Sequence, residues 1–368
     1  MKASLKTPWL LLSMMPFLIC PLMSCGTTSG LPSSPAPTFT LFDPPGAVGT
    51  IGYSINSAGE IAGTYITAGG SYHGFLRAPD GTITTFDVPG AGTSSVEGTL
   101  AASINTAGAI TGYYIDASHN FHGFLRAPDG TITAFDVPGA GTMFNQGTSA
   151  VSINLAGAIT GSYIDASNNH HGFLRGTDGT ITTFDGPSVF FIAPNSINSA
   201  GEITGQYFAF GGTHGFLRAP DGTITIFDVP GSNFTSPLQC ALPCGPGINQ
   251  SGTIAGDYQD ASNQFHAFLR APDGTFTTFD APDAGRSPGH GTFALGINLA
   301  GTITGYSSDV VSVNHGFLRT PDGTTTPFDA AGASSIPGSG TVALSINANG
   351  AITGYYSDAS GTHGFVRE

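Results

Sequence analysis

The sequence has few charged residues and almost no basic ones. Only 9% of its 368 residues are charged, and its only lysines are Lys2 and Lys6. The rest of the chain carries eight arginines against 24 acidic residues, a net charge of −16. Nucleic-acid binding needs clustered basic side chains that displace counterions from phosphates. We therefore exclude a nucleic-acid partner, and attraction to anionic lipid surfaces beyond any covalent anchor.

Helical periodicity is missing as well. No segment beyond the first 25 residues shows a sustained period of 3.6 residues. Glycine is abundant instead, with 54 residues, and the chain has 25 prolines. This composition is typical of many short strands joined by tight turns. An all-β fold is the expectation.

The first residues form a targeting segment. Two lysines precede a mainly apolar run over residues 9–23, the pattern of an export signal. The run is short and contains Pro16 and Pro21, which disfavours a retained membrane-spanning helix. Residues 26–38 are rich in Ser, Pro and Gly and indicate a flexible tether.

The end of that signal, Leu22-Met23-Ser24-Cys25, resembles the lipobox of bacterial lipoproteins. The resemblance implies cleavage before Cys25 and attachment of lipid to it. The expected organisation is a signal peptide over 1–24, a lipid-anchored linker over 25–38 and a folded part over 39–368. An ordinary secretory signal with an incidental cysteine is the alternative. The expected location is the cell envelope, at the outer membrane or cell surface.

Cysteine is scarce, with four residues in the chain. Beyond Cys25 only Cys240 and Cys244 remain. They have three residues between them in an insertion, and an exported protein can form disulfides. We predict a small disulfide ring between them. Metal binding is the weaker alternative, because no second Cys or His pair accompanies them.

Four signals recur in fixed order, each seven times. They are Ile-Asn-x-x-Gly, Ile-x-Gly, His-Gly-Phe-Leu-Arg (once ending Phe-Val-Arg) and Phe-Asp. Each is typical of one strand, so a repeat of about 49 residues holds four antiparallel strands, as in a propeller blade. The first strand is rich in small residues and is expected to be innermost.

The two ends of the repeat region are complementary. It opens at residues 39–43 with a Phe-Asp strand that lacks its three predecessors. It closes at His363 with a third strand that lacks its fourth. A ring that shares one blade between its ends produces this offset, and closure removes open sheet edges. The sequence predicts a seven-bladed β-propeller over 39–368, its last blade closed by the N-terminal strand.

The turn chemistry fixes the strand register. Pro79-Asp80-Gly81 is typical of a three-residue hairpin loop with a glycine in the left-handed position. Arg77 then faces Ile83, Gly74 faces Phe86, and His73 faces Asp87.

Residues 39–368 resemble the HAF-type extracellular repeat proteins of bacteria, named for a His-Ala-Phe motif. His266-Ala267-Phe268 carries the motif literally and six copies read His-Gly-Phe, but arginine stands where many members have tryptophan. The family is defined by its repeats, so the resemblance implies an extracytoplasmic repeat fold and no activity.

The recurring histidines and aspartates could be taken for catalytic or metal-binding residues. Such sites need groups that converge within a few ångströms, whereas positions repeated once per blade are held apart. We interpret them as structural cross-strand pairs and expect no metal or cofactor. The pairs are His73–Asp87, His122–Asp136, His171–Asp185, His214–Asp228, His266–Asp280, His315–Asp329 and His363–Asp43.

Function is expected where the chain does not repeat, in the links between blades. The densest non-repeated charge is Asp283, Arg286 and His290, and Phe190-Phe191 could form an aromatic platform. A solvated loop and ordinary packing are the alternatives. We predict a monomeric, non-catalytic binding or scaffold module for an envelope or extracellular glycan or protein. A glycan-active hydrolase or lyase and an adhesive surface component are the other hypotheses.

Overall fold

The computed structural model describes residues 37–186, 191–209, 212–235 and 247–368. Every regular element in these ranges is a β-strand. No helix in them is long and apolar enough to cross a membrane.

The strands follow one another in groups of four, which we call units. A single strand, β1 (Phe39–Phe42), precedes the first group. Units 1 to 3 comprise β2 (Ala47–Ile55), β3 (Ile61–Thr67), β4 (Tyr72–Arg77), β5 (Ile83–Phe86); β6 (Gly98–Ile104), β7 (Ile110–Ile115), β8 (Phe121–Arg126), β9 (Ile132–Phe135); and β10 (Gly147–Ile153), β11 (Ile159–Ile164), β12 (His170–Arg175), β13 (Ile181–Phe184).

The later units follow the same plan with two exceptions. The first strand of unit 5 is described in two pieces, and unit 7 contains three consecutive strands. Units 4 to 7 comprise β14 (Phe191–Ile197), β15 (Ile203–Ala209), β16 (Gly212–Arg218), β17 (Ile224–Phe227); β18 (Phe234–Thr235), β19 (Gly247–Ile248), β20 (Ile254–Gln259), β21 (Phe265–Arg270), β22 (Phe276–Phe279); β23 (Gly291–Ile297), β24 (Ile303–Ser308), β25 (Asn314–Arg319), β26 (Thr325–Phe328); and β27 (Gly340–Ile346), β28 (Ile352–Ser357), β29 (Thr362–Arg367).

The register predicted for the third and fourth strands is confirmed. Gly74 pairs with Phe86 and Arg77 with Ile83. The Ala78 N–H donates to the Thr82 carbonyl at 2.8 Å, and Gly81 has φ +91°, as a three-residue loop with a left-handed glycine requires. Proline and glycine therefore set the pairing of the outer strands.

Two small residues in each unit make room for two phenylalanine rings. Both are glycines except in unit 5, where Ala267 pairs with Phe279. Gly63 of β3 faces Phe75 of β4, and a Cβ on that glycine would lie 2.5 Å from the ring. Gly74 lies under Phe86 in the same way, with 2.7 Å to the ring. Phe75 is fully buried, and burial of such a side chain contributes about 1.5–3 kcal/mol. Its six counterparts are fully buried too: Phe124, Phe173, Phe216, Phe268, Phe317 and Phe365.

The first strands meet at the centre of the molecule, as their small side chains predict. Residues from the first strands of all seven units line one narrow cavity of about 170 Å³. Successive units also contact through an arginine. Arg126 of unit 2 lies 5.0 Å above the Phe86 ring of unit 1, and each of the other repeat arginines lies 4.4–5.2 Å from the matching ring.

The strand β1 pairs with β29, the last strand of the chain. Phe39 pairs with Arg367 and Phe42 with Gly364, so β1 occupies the place of a fourth strand in unit 7. The glycine–phenylalanine and arginine–phenylalanine contacts of the other units recur here. The Phe42 ring packs on Gly364, and the Arg77 guanidinium lies over the same ring.

Each unit has two distinct ends because its strands are antiparallel. The Asn-x-x-Gly and Pro-Asp-Gly turns lie at one end, here named the turn end. The loops between second and third strands and the links between units lie at the other, here named the link end.

A chain of hydrogen bonds connects the units at the turn end. The Asn56 side-chain amide donates to the Asn105 carbonyl at 3.1 Å, and Asn105 donates to Asn154 at 3.2 Å. The series continues through every unit, and Asn347 donates to the carbonyl of Asn56 at 3.0 Å. Each asparagine thereby caps its own turn and binds its neighbour.

Candidate functional site

The repeated histidines each contact the aspartate of the neighbouring strand. His122 Nδ1 donates to the Asp136 carboxylate at 3.0 Å, and its ring stacks on Tyr114 at 4.8 Å between centroids. The Nδ1–carboxylate distance is 2.6–3.1 Å in all seven pairs.

A second carboxylate lies on the other side of five of these rings. Nε2 of His122 is 3.5 Å from Asp116, and four counterparts lie 3.3–3.6 Å from Asp165, Asp260, Asp309 and Asp358. Burial lowers the pKa of His363, but the hydrogen bond and charge of Asp43, together with Asp358, outweigh it and raise that pKa. Hydrogen bonds from Ser360 lower the pKa of Asp358 to about 2.

The pairs do not assemble into a common site. Among the residues that the structure describes, no group of three or more His, Cys, Asp or Glu residues could hold a metal ion. Each histidine has its partners in its own unit or, for His363, in β1. The geometry can clamp the outer strands together at the link end of each unit.

In five units the loop between the second and third strands forms an Asx turn. Asp116 Oδ1 accepts the Ser118 and Asn120 N–H groups at 2.8 Å each, and the loops at Asp165 and Asp260 repeat the pattern. One carboxylate oxygen of each of these aspartates is therefore occupied by hydrogen bonds from backbone N–H groups.

The described residues predicted for the ligand face lie in two places, with Asp283, Arg286 and His290 in the link between β22 and β23 and Phe191 at the start of β14. Asp283 accepts a hydrogen bond from Ser307 at 2.7 Å, and His290 Nε2 lies 2.9 Å from Ser312. Arg286 is exposed in the same link. Phe191 packs edge-on against Phe208 at 4.8 Å. Phe190, Cys25, Cys240 and Cys244 lie outside the described residues.

A cavity of about 470 Å³ lies at the link end, lined by units 1 and 2 and by the links that follow them. It is here named the aromatic cavity. Its walls are mainly aromatic and aliphatic, which is typical of small-molecule sites, and its volume falls within the usual range for them. Its lining residues are Ile51, Tyr53, Thr64, Ile66, Tyr72, Val96, Leu100, Tyr113, Ile115, His119, Phe121, Phe144 and Asn145.

The rings of the aromatic cavity differ in their surroundings. Tyr113 packs edge-on against Phe121 at 5.8 Å, and burial raises the pKa of its phenol to about 12, so it stays neutral. His119 packs against Phe144 at 5.1 Å. Phe144 is 66% exposed, so most of its side chain is accessible from solvent.

One wall of the aromatic cavity carries backbone strain. Val96 has φ +62°, a left-handed conformation that costs a β-branched residue about 1–2 kcal/mol. The equivalent residues of units 3, 6 and 7 are Asn145, Gly289 and Gly338, which tolerate that conformation better. Strain of this kind is concentrated at functional sites.

A second, larger cavity of about 670 Å³ lies at the turn end. It is lined by the isoleucines of the seven Ile-Asn motifs and by six of their asparagines, whose amides are engaged in the bonds between units. Equivalent positions of successive units form this lining, so the repeat by itself explains the cavity.

The residues of the aromatic cavity were not predicted from the sequence. They occupy positions that vary from unit to unit. Phe144 corresponds to Ser95, and the position of Tyr72 and Phe121 holds His170, Thr213, Phe265, Asn314 or Thr362 in the other units. Alignment of the repeats would have revealed these substitutions, but not that they converge.

Comparison with known proteins identifies the fold. No protein-family model matches the chain, and no curated protein is detectably similar to it in sequence. Puromycin hydrolase superposes with a TM-score of 0.55 at 11% identity, covering 86% of this chain and 52% of the hydrolase. TolB from Acinetobacter baumannii gives a TM-score of 0.48 at 13% identity over 77% of this chain and 65% of TolB. The chain thus spans about half the length of the first and less than two thirds of the second.

The most informative likeness is to a single domain. The β-propeller domain of the trilobed protease from Pyrococcus furiosus, which has an open velcro topology, superposes with a TM-score of 0.53 at 8% identity. The match covers 87% of this chain and 96% of that domain. At such low identity the likeness shows the fold alone, and this chain is an all-β protein with the β-propeller fold.

Proposed function

We propose that the protein is a non-catalytic binding module whose ligand occupies the aromatic cavity. The observation that carries this proposal is the lining of that cavity, in which five tyrosine and phenylalanine rings surround a volume of about 470 Å³. Aromatic side chains supply large contact areas at low cost in conformational entropy.

A glycan-active hydrolase or lyase is the alternative function. Glycoside hydrolysis needs two carboxyl groups about 5–9.5 Å apart that face the substrate. The 13 lining residues of the aromatic cavity include no Asp or Glu. This lining favours binding over catalysis, and no observation favours an adhesive role.

We also propose that the fold is a seven-bladed propeller whose ring is closed between its ends. Two observations support closure. The strand β1 pairs with β29, and Asn347 donates to the Asn56 carbonyl. Each contact joins the last unit to the beginning of the chain and repeats a contact found within or between the other units.

The proposed location is the bacterial envelope, as a lipoprotein of the HAF-type repeat class anchored through Cys25 at the outer membrane or cell surface. The lipobox-like Leu22-Met23-Ser24-Cys25 supports the anchor. The strand β1 begins at the turn end, where the Thr38 N–H donates to Glu368 at 2.9 Å. The described part of the chain therefore begins at the turn end, whereas the aromatic cavity lies at the link end.

The test of binding is a ligand screen with the purified protein and one variant. Glycans and small molecules are screened against wild type, and each hit is titrated against Phe144→Ser, because Ser95 occupies the equivalent place in unit 1. We expect the affinity of a genuine ligand to fall at least about tenfold in this variant, equal to about 1.4 kcal/mol. The control is Ile336→Ser, another exposed apolar residue at the link end but in unit 7. A screen whose hits all bind Phe144→Ser as tightly as wild type would refute the assignment.

The test of anchoring is separate. Expression with a labelled fatty acid is expected to label the wild-type chain and not Cys25→Ser. Equal labelling of the two chains, or none of either, would contradict lipidation at Cys25.

A further inference from the structure

The aromatic cavity offers rings and no charged side chain to a ligand. Tyr53, Tyr72, Tyr113, Phe121 and Phe144 supply the rings, and the lining includes no Asp, Glu, Lys or Arg. The faces of aromatic rings carry partial negative charge, so they attract cations and repel anions. A bound anion would find no basic side chain in this lining except a protonated His119.

A carboxylate lies directly behind one wall of the aromatic cavity. The side chain of Glu97 is 6% exposed, and one of its oxygens accepts the Ser94 N–H at 2.8 Å. Its other oxygen lies 3.6 Å from Nε2 of the cavity residue His119. The Glu97 carboxylate therefore lies next to a residue of the cavity lining and is largely shielded from water, where charges interact more strongly.

The distribution of charged side chains over the whole protein also favours a cation at the link end. Seven of the eight arginines end third strands at the turn end, and only Arg286 lies at the link end. All ten histidines are at the link end, yet even their complete protonation would leave carboxylates in excess there. Fourteen of the 24 acidic residues lie at the link end: Asp43, Asp87, Glu97, Asp116, Asp136, Asp165, Asp185, Asp228, Asp260, Asp280, Asp283, Asp309, Asp329 and Asp358.

From these three observations we propose that the ligand of the aromatic cavity is a small organic ammonium cation. The inference rests on the proposed binding function and adds the ligand's chemical class. The rings contact the alkyl groups and the charge of the ammonium, Glu97 supplies a nearby counter-charge, and the acidic link end raises the local concentration of cations. The same ammonium joined to a phosphate is disfavoured by that field.

The test uses choline, its uncharged isostere in which carbon replaces the quaternary nitrogen, and phosphocholine. Each is titrated calorimetrically into the full-length protein at low ionic strength. We expect choline to bind at least about tenfold more tightly than the isostere, since cation–π contacts in a desolvated site supply that difference. Phosphocholine is expected to bind more weakly than choline. Equal binding of choline and the isostere would overturn the cationic class, and tighter binding of phosphocholine would overturn the role of the field.

Two variants, Glu97→Gln and Phe144→Ser, locate the effect, and the chain itself provides both replacements; Asp283→Asn is the control. Glu97→Gln is conservative because Gln146 fills the equivalent place in unit 3, where it accepts the Met143 N–H at 3.2 Å. We expect it to weaken choline binding about three- to tenfold and to leave the isostere unchanged. Asp283→Asn removes the same charge at the link end of unit 6 and is expected to change choline binding less than twofold. Phe144→Ser is expected to weaken both ligands.

The outcomes separate this inference from the proposed function. If choline fails to bind while a screened ligand binds and depends on Phe144, the cationic class is wrong and the binding function stands. If choline binds equally to wild type, Glu97→Gln and Phe144→Ser, the cation site lies elsewhere and the inference is wrong. If neither choline nor any screened ligand depends on Phe144, both proposals fail.

Discussion

Closure of the ring can be tested by comparing two asparagines with nearly identical surroundings. Asn105 lies within the chain, and its amide donates to the Asn154 carbonyl at 3.2 Å. Asn347 lies in the last unit and donates to Asn56 at 3.0 Å, across the junction between the chain's ends. Both are buried, with 7% and 5% exposure. Each also accepts two backbone N–H groups of its own turn at 3.0 Å.

Replacement of either asparagine by alanine removes three hydrogen bonds. Each such bond contributes about 0.5–1.5 kcal/mol net, so Asn105→Ala is expected to cost about 3 kcal/mol of unfolding free energy. Two of the three bonds are local to the turn, and the third joins units. If the ends are joined in solution, Asn347→Ala costs the same as Asn105→Ala to within about 0.5 kcal/mol.

The assay is equilibrium denaturation followed by far-ultraviolet circular dichroism. The unfolding free energies of the two variants are compared using one common value for the dependence of that free energy on denaturant concentration. If the junction is open in solution, Asn347→Ala loses only the two bonds of its turn. Its cost would then be smaller than that of Asn105→Ala by about 1 kcal/mol, and this result would refute closure.

Three further predictions concern individual side chains. Val96→Asn is expected to raise the free energy of unfolding by about 1 kcal/mol, because Asn tolerates the left-handed conformation at φ +62°; an unchanged or lowered midpoint in denaturant contradicts strain at this residue. His122→Ala is expected to lower stability by about 1 kcal/mol through loss of its ion pair and its stacking, yet to leave ligand affinity unchanged; lost binding in a folded variant would show a functional histidine. Because the pKa of His363 is raised in the folded state, its contribution is complete below a pH of about 6.5 and is lost as the pH rises through its folded pKa. Lowering the pH from 8 to 6 is therefore expected to raise the melting temperature less in His363→Gln than in wild type. An equal rise in the two proteins would show that another group titrates.

The turns and the outer-strand register could be predicted from the sequence because they depend on neighbours in the chain. Proline restricts φ and glycine permits a left-handed conformation, so Pro79-Asp80-Gly81 sets the pairing of Gly74 with Phe86 without reference to the rest of the fold. The inner position of the first strand was also predictable, since only small side chains fit where all units meet. Seven copies made each local inference stronger.

The aromatic cavity could not be predicted in the same way. Its walls come from two units and two links, and Phe144 differs from its counterpart Ser95 by one substitution among many. From the sequence, Asp283, Arg286 and His290 were predicted to contact a ligand, because charged residues are conspicuous in a chain that has few of them. The structure instead brings together uncharged rings that lie far apart in the sequence, from Tyr53 to Phe144.

The amino-acid sequence by itself determined the repeating unit, its turns and its register, because these depend on backbone restriction and on side chains a few residues apart. Tertiary structure decided which non-repeated side chains meet. It also decided the distribution of charge, because the antiparallel course of the strands sends the arginines that end third strands to the turn end and most carboxylates to the link end. In a chain of nearly identical units, such convergence and polarity arise only when the units are placed side by side.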